Sequence, residues 1–237
     1  MRFVLWTISN IKFQYHAHHP GSNHKFSHRR PLFELFCSIA LDFYFMLADI
    51  ICMIITHHRE KLINAIIYFA KNTKYCGKTK LLKLLYFLDF SHFKQTGMSV
   101  TGLDYFAWEM GPVPKVLFEE LSGNMRPDMK NTINELPAER FQQIRPKKKF
   151  DNKYFSKREM KLLKDISFIF HDAKANDMVE STHLKNEPWD KTLKERGEFQ
   201  KIDYMLSIDN EIVSLPYDEA KERVEEISEV YQLFGAD

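Results

Sequence analysis

The chain is poor in the residues that announce a chemistry. Three cysteines in 237 residues (Cys37, Cys52, Cys76) are odd in number and show no C-x-x-C spacing, so neither a zinc site nor a disulfide framework is indicated. A reducing cytoplasm is the simplest compartment for such a sequence. Eight glycines and nine prolines are too few for a low-complexity or disordered whole. A formal net charge of +2 provides neither a basic excess for polyanions nor an acidic tail, so nucleic acid is an unlikely partner by composition. No H-E-x-x-H and no G-x-S-x-G occurs, and His92, His171 and His183 lack metal-ligand spacing. Gly77-Lys78-Thr79 resembles the end of a phosphate-binding loop. The full pattern needs a glycine where Asn72 stands and a strand before it, where a helix is expected. The adjacent acids Glu119-Glu120 and Glu225-Glu226 point about 100° apart on a helix and read as solvated faces. No catalytic set, metal site or cofactor is expected.

What is present is enough apolar residue to fill a core, 44% hydrophobic and 14% aromatic. It is unevenly arranged. Residues 1–58 form an atypical extension with seven of the ten histidines and the whole of the basic excess. The histidines sit in a Gly/Pro/Ser-containing stretch that fixes no metal geometry. Within it, 35–55 is an apolar run broken only by Asp42 and Asp49, long enough to cross a bilayer. Each Asp costs roughly 2.5–3.5 kcal/mol on the insertion scale, which about offsets the surrounding Leu, Ile and Phe. The extension is therefore a mis-assigned start upstream of Met46 or Met53, an extra helix, or a membrane-associated segment.

Residues 59–237 read as one mainly α domain (α+β), compact and helical with a small antiparallel β-hairpin. Glu60–Lys71 carries a helical stripe, and Lys80–Gln95 is a helix apolar on nearly all sides, interrupted by Lys83 and Asp89. Such a helix is central, and Gly97 is its expected C-cap. Ser99–Met110 suits an extended or turn-rich passage. Gly111-Pro112-Val113-Pro114 is a rigid bend, with Pro114 in the first turn of the following helix. The hairpin is expected over Arg140–Phe155, turning at Asp151-Asn152. Ser156 with Glu159 makes a capping box for a helix striped by Met160, Leu163, Ile166, Ile169 and Phe170. Short helices are expected near Asp177–Thr182 and Trp189–Glu195, and Pro216 opens a last one. Lys147-Lys148-Lys149 with Arg145 is the one basic run, read as a solubilising edge on that hairpin.

The block Lys80–Trp189 resembles a known family. The run Lys80 to Asp89, then Gly97, Val100-Thr101-Gly102, Tyr105-x-Ala107 and Gly111-Pro112-Val113-Pro114 is similar in order and spacing to the Panacea domain. That antitoxin domain is also seen in SocA-like and phage-associated GepA-like proteins. Thr182-His183 and Trp189 resemble the family's downstream His…Trp element. Leu88 stands where the family often has Ala, and Glu109 and Met110 where it often has a basic residue. The resemblance implies a non-catalytic bacterial or prophage antitoxin that binds a toxin encoded beside it. Delivery of a client to a protease is the alternative, and a nucleic-acid-binding regulator a further one. Tyr105, Phe106 and Trp108 are the candidate partner contacts, since aromatic anchors dominate interfaces. The remaining motif residues are expected to set backbone shape.

Overall fold

The computed structural model describes residues 57–134, 141–185, 187–209 and 214–234, all within the compact unit Ala48–Asp237. The apolar run 35–55 and most of the histidine-rich extension lie outside the described residues. Among the described residues, no helix is long and apolar enough to cross a membrane.

Helix α1, described over 57–72, buries Leu62, Ile63, Ile66, Ile67 and Phe69, the stripe expected from sequence. Tyr75 and Gly77 turn the chain into α2 (Lys78–Thr96). Lys78 and Thr79 open a helix, but a helix instead of a strand precedes them and Asn72 stands at the first glycine position, so the phosphate-loop pattern is not met. Gly97 ends α2 in the left-handed region (φ 71), its N–H donating to Phe93 O at 2.7 Å. Only glycine takes that conformation without a Cβ penalty.

Helix α2 is the axis of the domain. It buries Leu81, Leu82, Leu84, Leu85, Leu88, Phe90 and Phe93, and packs on the segments Gly111–Val113, Lys115–Leu121, Lys157–Ile169, Ala175–Thr182 and Tyr204–Ser207. Burying a Leu or Phe side chain contributes roughly 1.5–3 kcal/mol each, so α2 supplies a large share of the burial energy. On one side it meets α1 and helix α5 (Lys157–Ile169), which contributes Leu163 and Ile166. On the other, Tyr86 and Phe90 pack with Tyr105, Trp189 and Tyr204 in a second, mostly aromatic cluster, Tyr105 edge-on and Tyr204 stacked on Phe90.

The hairpin is real but lies elsewhere than sequence suggested. Strands β1 (Phe106–Trp108) and β2 (Gly111–Val113) pair antiparallel, Phe106 with Val113, Ala107 with Pro112 and Trp108 with Gly111, around the turn Glu109-Met110. Gln200 and Phe199 bond the other edge of β1 through Ala107. Sequence missed this hairpin because Pro112 argues against a strand; it is tolerated here at an edge, where its missing N–H costs nothing. Residues 141–155 form only an isolated bridge between Ile133 and Pro146 and a 3-10 turn at Asn152–Tyr154, capped by Asp151.

Helix α3 (Lys115–Leu121) follows with Pro114 as its N-cap residue. Helix α4 (Pro127–Lys130) comes next. Arg59 of α1 clamps both, donating to Glu120 at 2.6 and 2.9 Å and to Asp128 at 2.8 and 2.9 Å. The Arg59 hydrogen bond holds the Asp128 carboxyl down at about 2. The capping box of α5 forms as expected, Ser156 and Glu159 each accepting the other's backbone N–H. Of its stripe, Ile169 faces solvent instead of the core. Helices α6 (Ala175–Thr182), α7 (Pro188–Arg196) and α8 (Tyr217–Phe234) complete the chain.

Candidate functional site

The residues that interrupt the apolar pattern of α2 are its most heavily used. Lys80, Lys83 and Asp89 are all buried, and each reaches a different loop. Lys80 Nζ donates to the carbonyls of Lys74 (2.7 Å), Phe170 (2.7 Å), His171 (3.3 Å) and Ala173 (2.6 Å). It ties the α1–α2 turn to the segment after α5. Asp89 accepts from the backbone N–H of Val100 (2.9 Å) and Thr101 (2.8 Å), and from the hydroxyls of Thr101 and Tyr105, the latter at 2.7 Å. Burial pushes its carboxyl up to about 6, against the pull of those four donors. Val100-Thr101 and Tyr105 thus belong to the motif as partners of Asp89, and Gly102 beside them lies against the His58 ring.

Lys83 holds the hairpin. Its Nζ donates to Pro112 O at 2.8 Å. Gly111, at φ +92, is closed in from outside: a Cβ there would lie 2.6 Å from Thr182 Oγ1, 2.9 Å from Lys83 Nζ and 3.2 Å from His183 Nε2. Trp189 completes the closure, its Nε1 donating to Trp108 O at 2.9 Å. The His183 ring stacks on it with centroids 3.8 Å apart and planes 3° from parallel. His183 Nε2 has no hydrogen-bond partner among the described residues. Burial, then the Lys83 charge, lowers the pKa of His183, so the ring stacks as neutral imidazole. The distant Gly-Pro-Val-Pro and His…Trp elements therefore meet as one assembly on α2, and its geometry is that of a backbone clamp.

Burial alone brings the Lys83 ammonium down to about 7. Its folded pKa lies below its unfolded value near 10.4. Between those pH values the unfolded chain keeps a proton that the folded chain has released, so stability rises with pH across that window. Lys83→Met removes this slope. Denaturant midpoints measured from about pH 6 to 10 are expected to be flatter for the variant, with its relative advantage largest at the acid end. An unchanged slope contradicts the assignment.

Of the candidate partner contacts, Tyr105 is a core residue: it is fully buried and spends its hydroxyl on Asp89. Phe106 and Trp108 are half-buried, and strand alternation puts both on the same outer face of β1, with Ala107 inward. Sequence reasoning missed the rest of that face. Trp108 packs edge-on against Phe118 (centroids 5.0 Å) and Phe199 (6.0 Å). Of these Phe199 is 63% exposed; Met110 in the hairpin turn is 56% exposed and Val116 on α3 72%. Lys78 lies over the Phe118 ring at 4.5 Å. Phe199 sits at φ +61, a conformation costing about 1–2 kcal/mol for a side-chain-bearing residue. Nothing in the sequence around Phe199 signals that an aromatic is presented there.

Residues 81–190 match the family model described as "Antitoxin SocA-like, Panacea domain". No curated protein and no solved structure matches the chain. The matched interval runs from the start of α2 into α7, and so spans Lys83, Asp89, the hairpin, His183 and Trp189.

Proposed function

Since residues 81–190 match the model of the SocA-like Panacea domain, we propose that this chain is an antitoxin that neutralises the protein toxin encoded beside it by direct contact. It does so without catalysis, in the cytoplasm where both proteins are made. The observation carrying the reading is the aromatic cluster in which Trp108 of the hairpin packs on Phe118 and on the largely exposed Phe199. Scattered apolar residues on a surface need no explanation, whereas a connected group mounted on a rigid clamp does. The clamp from Lys83, Trp189 and His183 fixes the hairpin before the partner arrives, which lowers the ordering cost of association. The other motif residues, Gly97, Gly102, Ala107, Pro112, Val113 and Pro114, act by shaping the backbone.

The test is co-expression with the product of the neighbouring gene. Wild type restores growth and co-purifies with it. Trp108→Ser combined with Phe199→Ser, with an unchanged circular dichroism spectrum, loses both. An interface aromatic at a hot spot contributes about 2 kcal/mol or more, so the pair is expected to weaken the complex by at least about a hundredfold. Rescue that survives the double substitution moves the contact elsewhere. Rescue accompanied by faster turnover of the toxin, and lost when the protease is deleted, favours a protease adaptor over simple neutralisation.

A further inference from the structure

The basic run Lys147–Lys149 does not stand alone in space. The bridge between Ile133 and Pro146 lays the α4 segment beside residues 144–149. Lys147 N donates to Thr132 O at 2.7 Å and Lys147 Nζ to Lys130 O at 2.8 Å. Lys130 thereby lies alongside Lys147, and Arg126, Arg145, Lys148 and Lys149 stand on the same two paired segments. All six side chains are exposed. None is within ion-pair distance of a carboxylate among the described residues. The nearby Asp128 is already committed to Arg59.

At the start of the same segment stands Phe141, 71% exposed. Ile144, whose N–H donates to Cys76 O at 2.8 Å, anchors the segment. The Phe141 ring lies against Gly77, where a Cβ would sit 2.7 Å from it. An exposed aromatic ring thus stands on the same segment as cations that have no carboxylate partner among the described residues.

We infer that this face binds the phosphate backbone of a single-stranded nucleic acid, with Phe141 as a stacking platform for a base. The composition of the face decides between polyanions. Four of the six cations are lysines, a residue depleted from protein interfaces and common in phosphate contacts. A cationic groove combined with an exposed aromatic is the arrangement that sequence-tolerant single-strand binding uses. A purely solubilising edge requires no aromatic beside its lysines. The inference is independent of the toxin-binding reading, which concerns the hairpin face. The sequence-level expectation against nucleic acid came from net charge, which does not register how charges are gathered in space.

The probe is a fluorescently labelled single-stranded oligonucleotide of roughly 16 nucleotides, titrated with the full chain by anisotropy. Binding is expected at low salt and to weaken steeply between about 50 and 200 mM. Replacing Lys147, Lys148 and Lys149 by Gln should reduce the slope of log affinity against log salt by about two, since each single-strand phosphate contact contributes roughly 0.7. Phe141→Ala should weaken binding about tenfold and leave the slope unchanged. Thermal melts confirm that both variants fold. The inference is overturned by a flat titration at low salt, or by a slope indifferent to the three lysines. It is likewise overturned if anionic lipid vesicles or polyglutamate bind while the oligonucleotide does not. A duplex bound as tightly as the single strand, with Phe141→Ala silent, removes the stacking platform and overturns the single-strand assignment.

Discussion

Asp89→Ala is expected to destabilise the domain by about 3–5 kcal/mol, a large share of the roughly 5–15 kcal/mol that separates folded from unfolded states. The carboxylate is the common acceptor for two backbone N–H groups and two hydroxyls, all in the 100–105 loop. Removing it leaves buried donors without partners, each costing about 1–3 kcal/mol. Asp89→Asn separates loss of charge from loss of acceptors. Its amide oxygen still receives the two N–H groups, and the Thr101 and Tyr105 hydroxyls rotate to accept from the amide nitrogen. The Asn variant is therefore expected to lose far less than the Ala variant.

The two also differ with pH. The folded Asp89 pKa of about 6 lies above its unfolded value near 3.9. Between these values the folded state holds the proton more firmly, so the contribution of Asp89 to stability falls as pH rises through the window. The Asn variant lacks that fall. Urea midpoints of the three proteins from about pH 4 to 7 check both statements. A loss under about 1 kcal/mol for Asp89→Ala contradicts the role assigned to the loop acceptor.

The second large effect is at Gly111. Its φ of +92 is strained for any residue with a Cβ, and the space that Cβ would occupy is already bounded by Thr182, Lys83 and His183. Backbone strain costs about 1–3 kcal/mol and overpacking about another 1–3 kcal/mol. Gly111→Ala is therefore expected to lower the unfolding free energy by several kcal/mol. It should also loosen the hairpin before the rest unfolds, since the substitution forces Thr182 and His183 off β2. Trp189 fluorescence reports the first event and far-ultraviolet circular dichroism the second. Coincident transitions at the wild-type midpoint would show that the clamp does not depend on this glycine.

The helical frame was legible because it rests on local signals. The stripe of α1, the all-round apolar α2, the Gly97 cap and the Ser156/Glu159 box each form where period and capping chemistry indicate. The hairpin was misplaced because its signals conflict. Asp151-Asn152 resembles a hairpin turn but caps a 3-10 turn, and Pro112 resembles a strand breaker but occupies an edge. The motif residues were legible by resemblance, but the reason for their spacing was not. Only the fold shows that Lys83 and Asp89, read in sequence as interruptions, are respectively the donor and the acceptor that hold the loops. The aromatic cluster at the hairpin was partly legible. Trp108 was named from its neighbourhood, Tyr105 proved to be core, and Phe199 arrives from nearly a hundred residues downstream by pairing with Ala107. No local pattern encodes such a non-local juxtaposition.

The central claim is that the clamped hairpin carries the face on which the toxin docks. Hydrogen–deuterium exchange of the purified chain, with and without the product of the neighbouring gene, tests it most directly. Slowed exchange confined to residues 106–118 and 197–201 in the complex is the predicted result. A complex that forms while those segments exchange as in the free protein, with protection elsewhere, would contradict it.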